Sequence, residues 1–233
     1  MRILFLVFIF STSVSSRADE GMWLPNLIST MNIDDMQSKG LSLSADVIYN
    51  VNKSSLKDAV VALSWGSCTG EIISKEGLLL TNHHCADDLI QFHSTTEKDY
   101  LKNGFWAMNK SEELANENLT ASILVRIENV TERVFSKIND SGTEEDRRKK
   151  IRAVANEISN EISDTSHYTS RLRSFYGGNE FYLFIYETFL DVRLVGAPPS
   201  SIGKFGGDTD NWMWPRHTGD FTLLRIYSDT NNK

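Results

Sequence analysis

Cys68-Thr69-Gly70-Glu71-Ile72-Ile73-Ser74-Lys75-Glu76-Gly77-Leu78-Leu79-Leu80-Thr81-Asn82-His83-His84-Cys85 holds two short apolar runs around a turn-forming Lys75-Glu76-Gly77. The pattern predicts a hairpin of two buried strands. A histidine directly after a buried strand and directly before a half-cystine has its backbone held on both sides. A general base needs that support to keep one rotamer, and His84 is the residue so placed. His83, its neighbour, should face the other way, because successive residues leaving a strand point to opposite faces.

Working outward, Ala59-Val60-Val61-Ala62-Leu63 is a short apolar run that feeds through Ser64-Trp65-Gly66 into Cys68. It reads as a third strand beside the hairpin. Upstream, residues 19 to 55 are polar and weakly patterned, which predicts an N-terminal arm with a short helix and Trp23 as a packing anchor. The first eighteen residues read as a signal peptide. Arg2 precedes the apolar run Ile3 to Phe10, which is too short to span a bilayer, and small polar residues lead to a cut before Asp19. Export to the periplasm, cell surface or medium follows, with no membrane association beyond it. In such a compartment two cysteines are expected to pair, so Cys68 and Cys85 are assigned a disulfide, contributing about 3 kcal/mol by the loop-entropy model.

Composition sets the limits. The 233 residues are 40% hydrophobic and 10% aromatic, enough for one or two cores. A formal net charge of −7 without a basic cluster argues against a nucleic-acid partner.

After Cys85, aromatics at Tyr100, Phe105 and Trp106 are expected to cover the core. Residues 121 to 128 alternate, which puts Ile123, Val125 and Ile127 on one face of a strand and Leu124, Arg126 and Glu128 on the other. Thr143 and Asp146 resemble a capping box. Beyond them Ile151, Val154, Ala155, Ile158 and Ile162 fall at helical spacing, so an amphipathic helix should interrupt the strands, with Asp146 to Lys150 as its solvated face. Gly177-Gly178-Asn179 should turn a second hairpin into the aromatic run Phe181 to Phe189. Leu190 to Val195 and Thr222 to Tyr227 read as further strands.

The second informative stretch runs from Gly203 to Phe221, dense in Gly, Asp, Asn and Trp without periodicity. Such a loop carries function more often than a core does. With Asp19-Glu20-Gly21-Met22-Trp23, Cys68-Thr69-Gly70-Glu71, Thr81 to Cys85 and Tyr176-Gly177-Gly178-Asn179-Glu180, it resembles the bacterial exported serine dipeptidyl peptidases of the dipeptidyl-peptidase 7 and 11 type, peptidase family 46. The histidine segment likewise resembles that of chymotrypsin-like serine peptidases. The resemblance implies a mainly β fold with inserted helices, a chymotrypsin-like (trypsin-like) β-barrel that is here an incomplete double barrel.

By motif, the resemblance makes His84 the catalytic histidine and Asp220 the catalytic aspartate. Asn211 and Trp212 match the pair that receives the substrate's free amino terminus, a role their chemistry suits: a carbonyl acceptor and a π-face for an ammonium group. The implied partner is an oligopeptide, with a homodimer expected for the full-length enzyme and no cofactor. No serine lies in a Gly-Asn-Ser-Gly context, and proteins of this type are about three times longer. The chain is therefore expected to be their N-terminal part, without the helical domain and the nucleophile, and inactive alone. Which side chain is preferred at the second substrate position is not legible. Two other readings stay open: a non-catalytic exported half-barrel that binds, and a metal site built from His83, His84, His93 and His217 with Asp87 or Asp88. The metal reading is weakened because no H-x-x-x-H spacing is present.

Overall fold

A computed structural model describes residues 21, 23–138, 142–165, 168–203 and 218–228. The N-terminal arm is not one helix but several short pieces, among them α1 (Ile28–Met31), α2 (Ile33–Ser38) and α3 (Ala45–Ile48). Trp23 stays 38% exposed, so the anchoring role falls instead to the buried Leu24, which packs with Ile127 and Tyr182.

β1 (Val60–Leu63), β2 (Cys68–Ile72) and β3 (Leu78–Thr81) form the predicted meander. Gly77 turns the hairpin with φ +69°, a conformation that glycine adopts without steric cost. Gly70 lets the strands close up, since a Cβ there would stand 2.7 Å from the Leu79 side chain and the Leu80 carbonyl. α4 (Asp87–His93), α5 (Tyr100–Asn103), β4 (Phe105–Trp106) and β5 (Leu114–Ala115) follow. Tyr100 and Phe105 pack against the core as expected, whereas Trp106 is half-exposed.

β6 (Ala121–Asn129), α6 (Thr131–Ile138), α7 (Glu144–Thr165), β7 (Thr169–Phe175), β8 (Glu180–Phe189), β9 (Asp191–Ala197), α8 (Ser200–Gly203) and β10 (Thr222–Tyr227) complete the described chain. The uniform alternation expected along β6 fails. Its register against β8 shifts between Leu124 and Arg126, so Val125 is an extra residue and the pleat resets. Ile123 therefore joins the first core, Val125 the second, and Ile127 shares a third with Leu124.

All ten strands lie in one antiparallel sheet in the order β4-β9-β10-β3-β2-β1-β6-β8-β7, with β5 also on β9. Among the described residues this path is open rather than closed, so the mainly β architecture stands but the barrel expected from the resemblance is an open sheet here. One end of the path is a two-residue strand, and the other is backed by a helix, which limits exposed edge. The first core gathers Val61, Leu79, Ile90, Val192, Leu194 and Leu224, all essentially inaccessible. Burying each such side chain contributes roughly 1.5–3 kcal/mol before entropy costs. The second core packs Val134 and Ile138 of α6 and Val154 and Ile158 of α7 on Phe181, Leu183 and Ile185 of β8. α7 starts as its sequence suggested, with the Asp146 N–H donating to Thr143 Oγ1 at 3.1 Å.

Candidate active site

Strand pairing alone brings the two predicted catalytic residues together. Thr222 pairs antiparallel with Thr81. Extending that register past both strand ends places Asp220 opposite the residues that follow β3. Thr81 is held by a 2.7 Å hydrogen bond from its hydroxyl to the Thr69 carbonyl, and the Ala86 N–H closes a turn on the His83 carbonyl at 2.9 Å. Cys85 is bonded to Cys68, with 6.0 Å between their Cα atoms. The chain around the histidines is therefore pinned on both sides.

His84 Nδ1 lies 2.8 Å from Asp220 Oδ2, and the His84 backbone N–H donates to Oδ1 of the same carboxylate at 3.1 Å. The two contacts fix the imidazole and the peptide behind it. A neutral ring donating at Nδ1 leaves the Nε2 lone pair to accept a proton. The His84 side chain is 38% exposed and that of Asp220 13%, so the imidazole reaches solvent while the carboxylate sits behind it. Burial pushes the Asp220 carboxyl up, but hydrogen bonds from the His84 backbone and ring outweigh it, and the net pKa lies below the ordinary aspartate value.

Asn82, which motif reading did not single out, belongs to this arrangement. Its Nδ2 donates to Asp220 Oδ2 at 3.1 Å and to the Asp220 carbonyl at 3.3 Å. The available signal was an exposed amide where a β-former would continue the strand. His83 does point the other way. It is fully buried, with Nε2 at 3.2 Å from Ser200 Oγ and 3.5 Å from Asp87 Oδ1. Gly203 backs the ring so closely that a Cβ would come within 2.5 Å of it. Thr218 Oγ1 reaches the Ile202 and Gly203 carbonyls at 3.0 and 2.9 Å, and the Gly219 N–H donates to the Ile202 carbonyl at 2.9 Å. The backbone entering Asp220 is thereby tied to α8, and α8 to His83.

Asn211, Trp212 and His217 lie outside the described residues, as does the segment read as a signal peptide. The other proposed metal ligands do not converge: His93 Nε2 lies 3.0 Å from Asn116 Oδ1. Among the described residues, no group of three or more His, Cys, Asp or Glu is placed to hold a metal ion. No described helix is long and apolar enough to cross a membrane. A hollow of about 620 Å³ between α7 and β7 touches neither His84 nor Asp220.

The model of the family Peptidase S46 matches residues 18–233. The chain belongs to this family. It is 47% identical over 232 residues to an Asp/Glu-specific dipeptidyl-peptidase of Flavobacterium psychrophilum, covering 100% of this chain and 32% of the relative. It is 49% identical to a dipeptidyl-peptidase 7 of Capnocytophaga gingivalis, covering 91% of this chain and 30% of the relative. A crystal structure of Porphyromonas endodontalis DPP11 in complex with substrate superposes with a TM-score of 0.83 at 47% identity, over 91% of this chain and 32% of that one. The S46 chain described here thus spans about a third of the length of the curated relatives it matches.

Proposed function

We propose that this chain supplies the general base and its orienting carboxylate to a serine-type dipeptidyl aminopeptidase that releases dipeptides from the free amino terminus of oligopeptides. The observation that carries the reading is the 2.8 Å contact between His84 Nδ1 and Asp220 Oδ2 in an S46 chain whose relatives are named dipeptidyl-peptidases. His84 Nε2 takes the proton of a serine as that serine attacks the scissile carbonyl, then returns it to the leaving amine. Asp220 holds the tautomer and stabilises the imidazolium between those steps. Asn211 and Trp212 receive the substrate's ammonium group through an amide carbonyl and an aromatic face.

The serine is assigned to sequence outside these 233 residues. None here has the expected context, and no described serine lies within hydrogen-bond reach of the His84 ring. The chain then corresponds to the N-terminal part of the catalytic domain behind a signal peptide over residues 1–18, working outside the cytoplasm, with the complete enzyme a homodimer. Alone it should not turn over chromogenic dipeptides or react with a serine-directed fluorophosphonate.

The test compares the adjacent histidines in the complete peptidase. His84→Ala should lower kcat by about 10⁴ or more, while His83→Ala should act mainly through local packing and lower it far less. Asn211→Ala should raise KM for the free amine. The reverse ranking of the histidines would mean that the base is misassigned.

A further inference from the structure

The turn between β1 and β2 has a shape that its sequence does not require. Ser64, Trp65 and Gly66 take φ of +43°, +63° and +91°, and the first two are residues for which the left-handed region is unfavourable. Such strain persists only where surrounding contacts enforce it, and it recurs at ligand sites. The contacts are visible here. The Ser64 N–H donates to the Thr120 carbonyl at 2.9 Å, and Arg171 Nη1 donates to the Trp65 carbonyl at 2.8 Å. The Arg171 guanidinium also stands 5.0 Å over the indole ring, which is itself 43% exposed.

Beside this turn is a hollow of about 70 Å³, lined by Trp65, Gly66, Ser122, Arg171, Arg173 and Tyr186 among others. That is roughly twice the volume a water molecule occupies in the liquid, enough for a carboxylate group. Register explains why both arginines face it. Thr169 pairs with Tyr186, Arg171 with Phe184 and Arg173 with Tyr182, and direct cross-strand partners share a face. Burial pushes the Tyr186 hydroxyl pKa up, and the charges of Arg173 and Arg171 pull part of that back, as expected if both stand close to it. Among the described residues, no carboxylate lines the hollow and neither arginine has an ion-pair partner. A guanidinium fork is well suited to a carboxylate.

The hollow lies at the end of the sheet that carries His84 and Asp220. Leu63 pairs with Cys68, Gly70 with Thr81 and Thr81 with Thr222. The 64–67 turn, the 82–85 turn and the approach to β10 therefore leave the strands on one side, and the Cys68–Cys85 bond ties the first two together.

We propose that Arg171, Arg173 and the Tyr186 hydroxyl, walled by Trp65, form a subsite for a carboxylate of the oligopeptide substrate. The inference rests on the peptidase reading and deepens it. The carboxylate is either an acidic side chain or the peptide's own C-terminus. Arg171 spends one donor on the Trp65 carbonyl and offers the rest, Arg173 supplies a second guanidinium, and the exposed indole face packs against apolar atoms of the peptide.

The test takes the complete peptidase and pentapeptides beginning with the dipeptide it releases fastest. The last three residues are neutral and amidated, neutral with a free C-terminus, or amidated with one glutamate moved through the three positions. The wild type should show a KM about tenfold lower for one carboxylate-bearing form than for the neutral amide, as expected for charge-assisted hydrogen bonds. The form that gains names the source. Arg173→Gln and Arg171→Lys should each remove most of that ratio, while Arg148→Gln on α7 keeps it. Arg173→Gln guards against a folding artefact, because among the described residues the Arg173 side chain makes no backbone hydrogen bond such as Arg171 makes to the Trp65 carbonyl. A wild type that does not discriminate, or a ratio that survives in both variants, overturns the subsite. A complete protein that releases no dipeptide overturns the peptidase reading, and the subsite falls with it.

Discussion

The corner that holds His84 and the layer that holds α7 are built on opposite principles. At the corner, specific polar and covalent ties do the positioning: the Cys68–Cys85 bond, the Thr81 hydroxyl, and an Asp220 carboxylate bonded by the His84 ring, the His84 backbone and the Asn82 amide. Beneath α7, apolar packing does it, with Val154, Ile158, Phe181 and Ile185 buried and the helix's other face charged. Directional bonds fix where an atom points, whereas burial fixes only that two surfaces meet. Damage to the corner should therefore lower rate out of proportion to stability, and damage to the helical layer should do the reverse.

Phe181→Ala is the strongest probe of the helical side. It should cost about 3–5 kcal/mol in chemical denaturation of the complete peptidase and leave kcat of the folded fraction near wild type. A fall in kcat at saturating folded enzyme would show that the two regions are coupled after all.

Opening the disulfide tests the corner. Cys68→Ala with Cys85→Ala should cost about 3 kcal/mol by loop entropy, and mild reduction should lower Tm accordingly while also lowering kcat at temperatures where the protein is still folded. Peptide mapping without reductant should recover the linked pair. Two thiols that alkylate freely would remove the tie altogether.

The smallest effect is on acid stability. The Asp220 pKa is depressed in the folded state, so the carboxylate contributes stability that is fully present above the ordinary aspartate range, near pH 4. That contribution is lost as pH falls through the lower folded value. In thermal melts, the Tm gap between wild type and Asp220→Asn should be constant at neutral pH and narrow below about pH 4. A gap that widens on acidification would mean that the sign of the shift is wrong.

How far the sequence could be read follows the same division. The β2–β3 hairpin, the β7–β8 hairpin and α7 were legible because each is set by local signals: a glycine turn, two-residue alternation or a capped 3.6-residue stripe. The separate faces of His83 and His84 followed from strand geometry. Asn82 was missed because its partner lies 138 residues away, and no local pattern encodes such a bond. The shift at Val125 was missed because a bulge reads as uninterrupted alternation until its partner strand is known. The open sheet was missed because closure depends on pairings between strands distant in sequence, and the barrel came from resemblance alone. Asn211 and Trp212 rest on the motif, as they lie outside the described residues.

In the proposed mechanism, Asp220 holds the His84 imidazole in one tautomer and stabilises its charged form. The direct measurement is kcat and KM of Asp220→Asn in the complete peptidase, with a crystal structure of the variant to confirm that His84 has not moved. The substitution keeps the shape of the side chain and removes its charge. The expected result is a kcat lower by about 10⁴ with KM little changed. A kcat within about tenfold of wild type, with His84 in place, would contradict it.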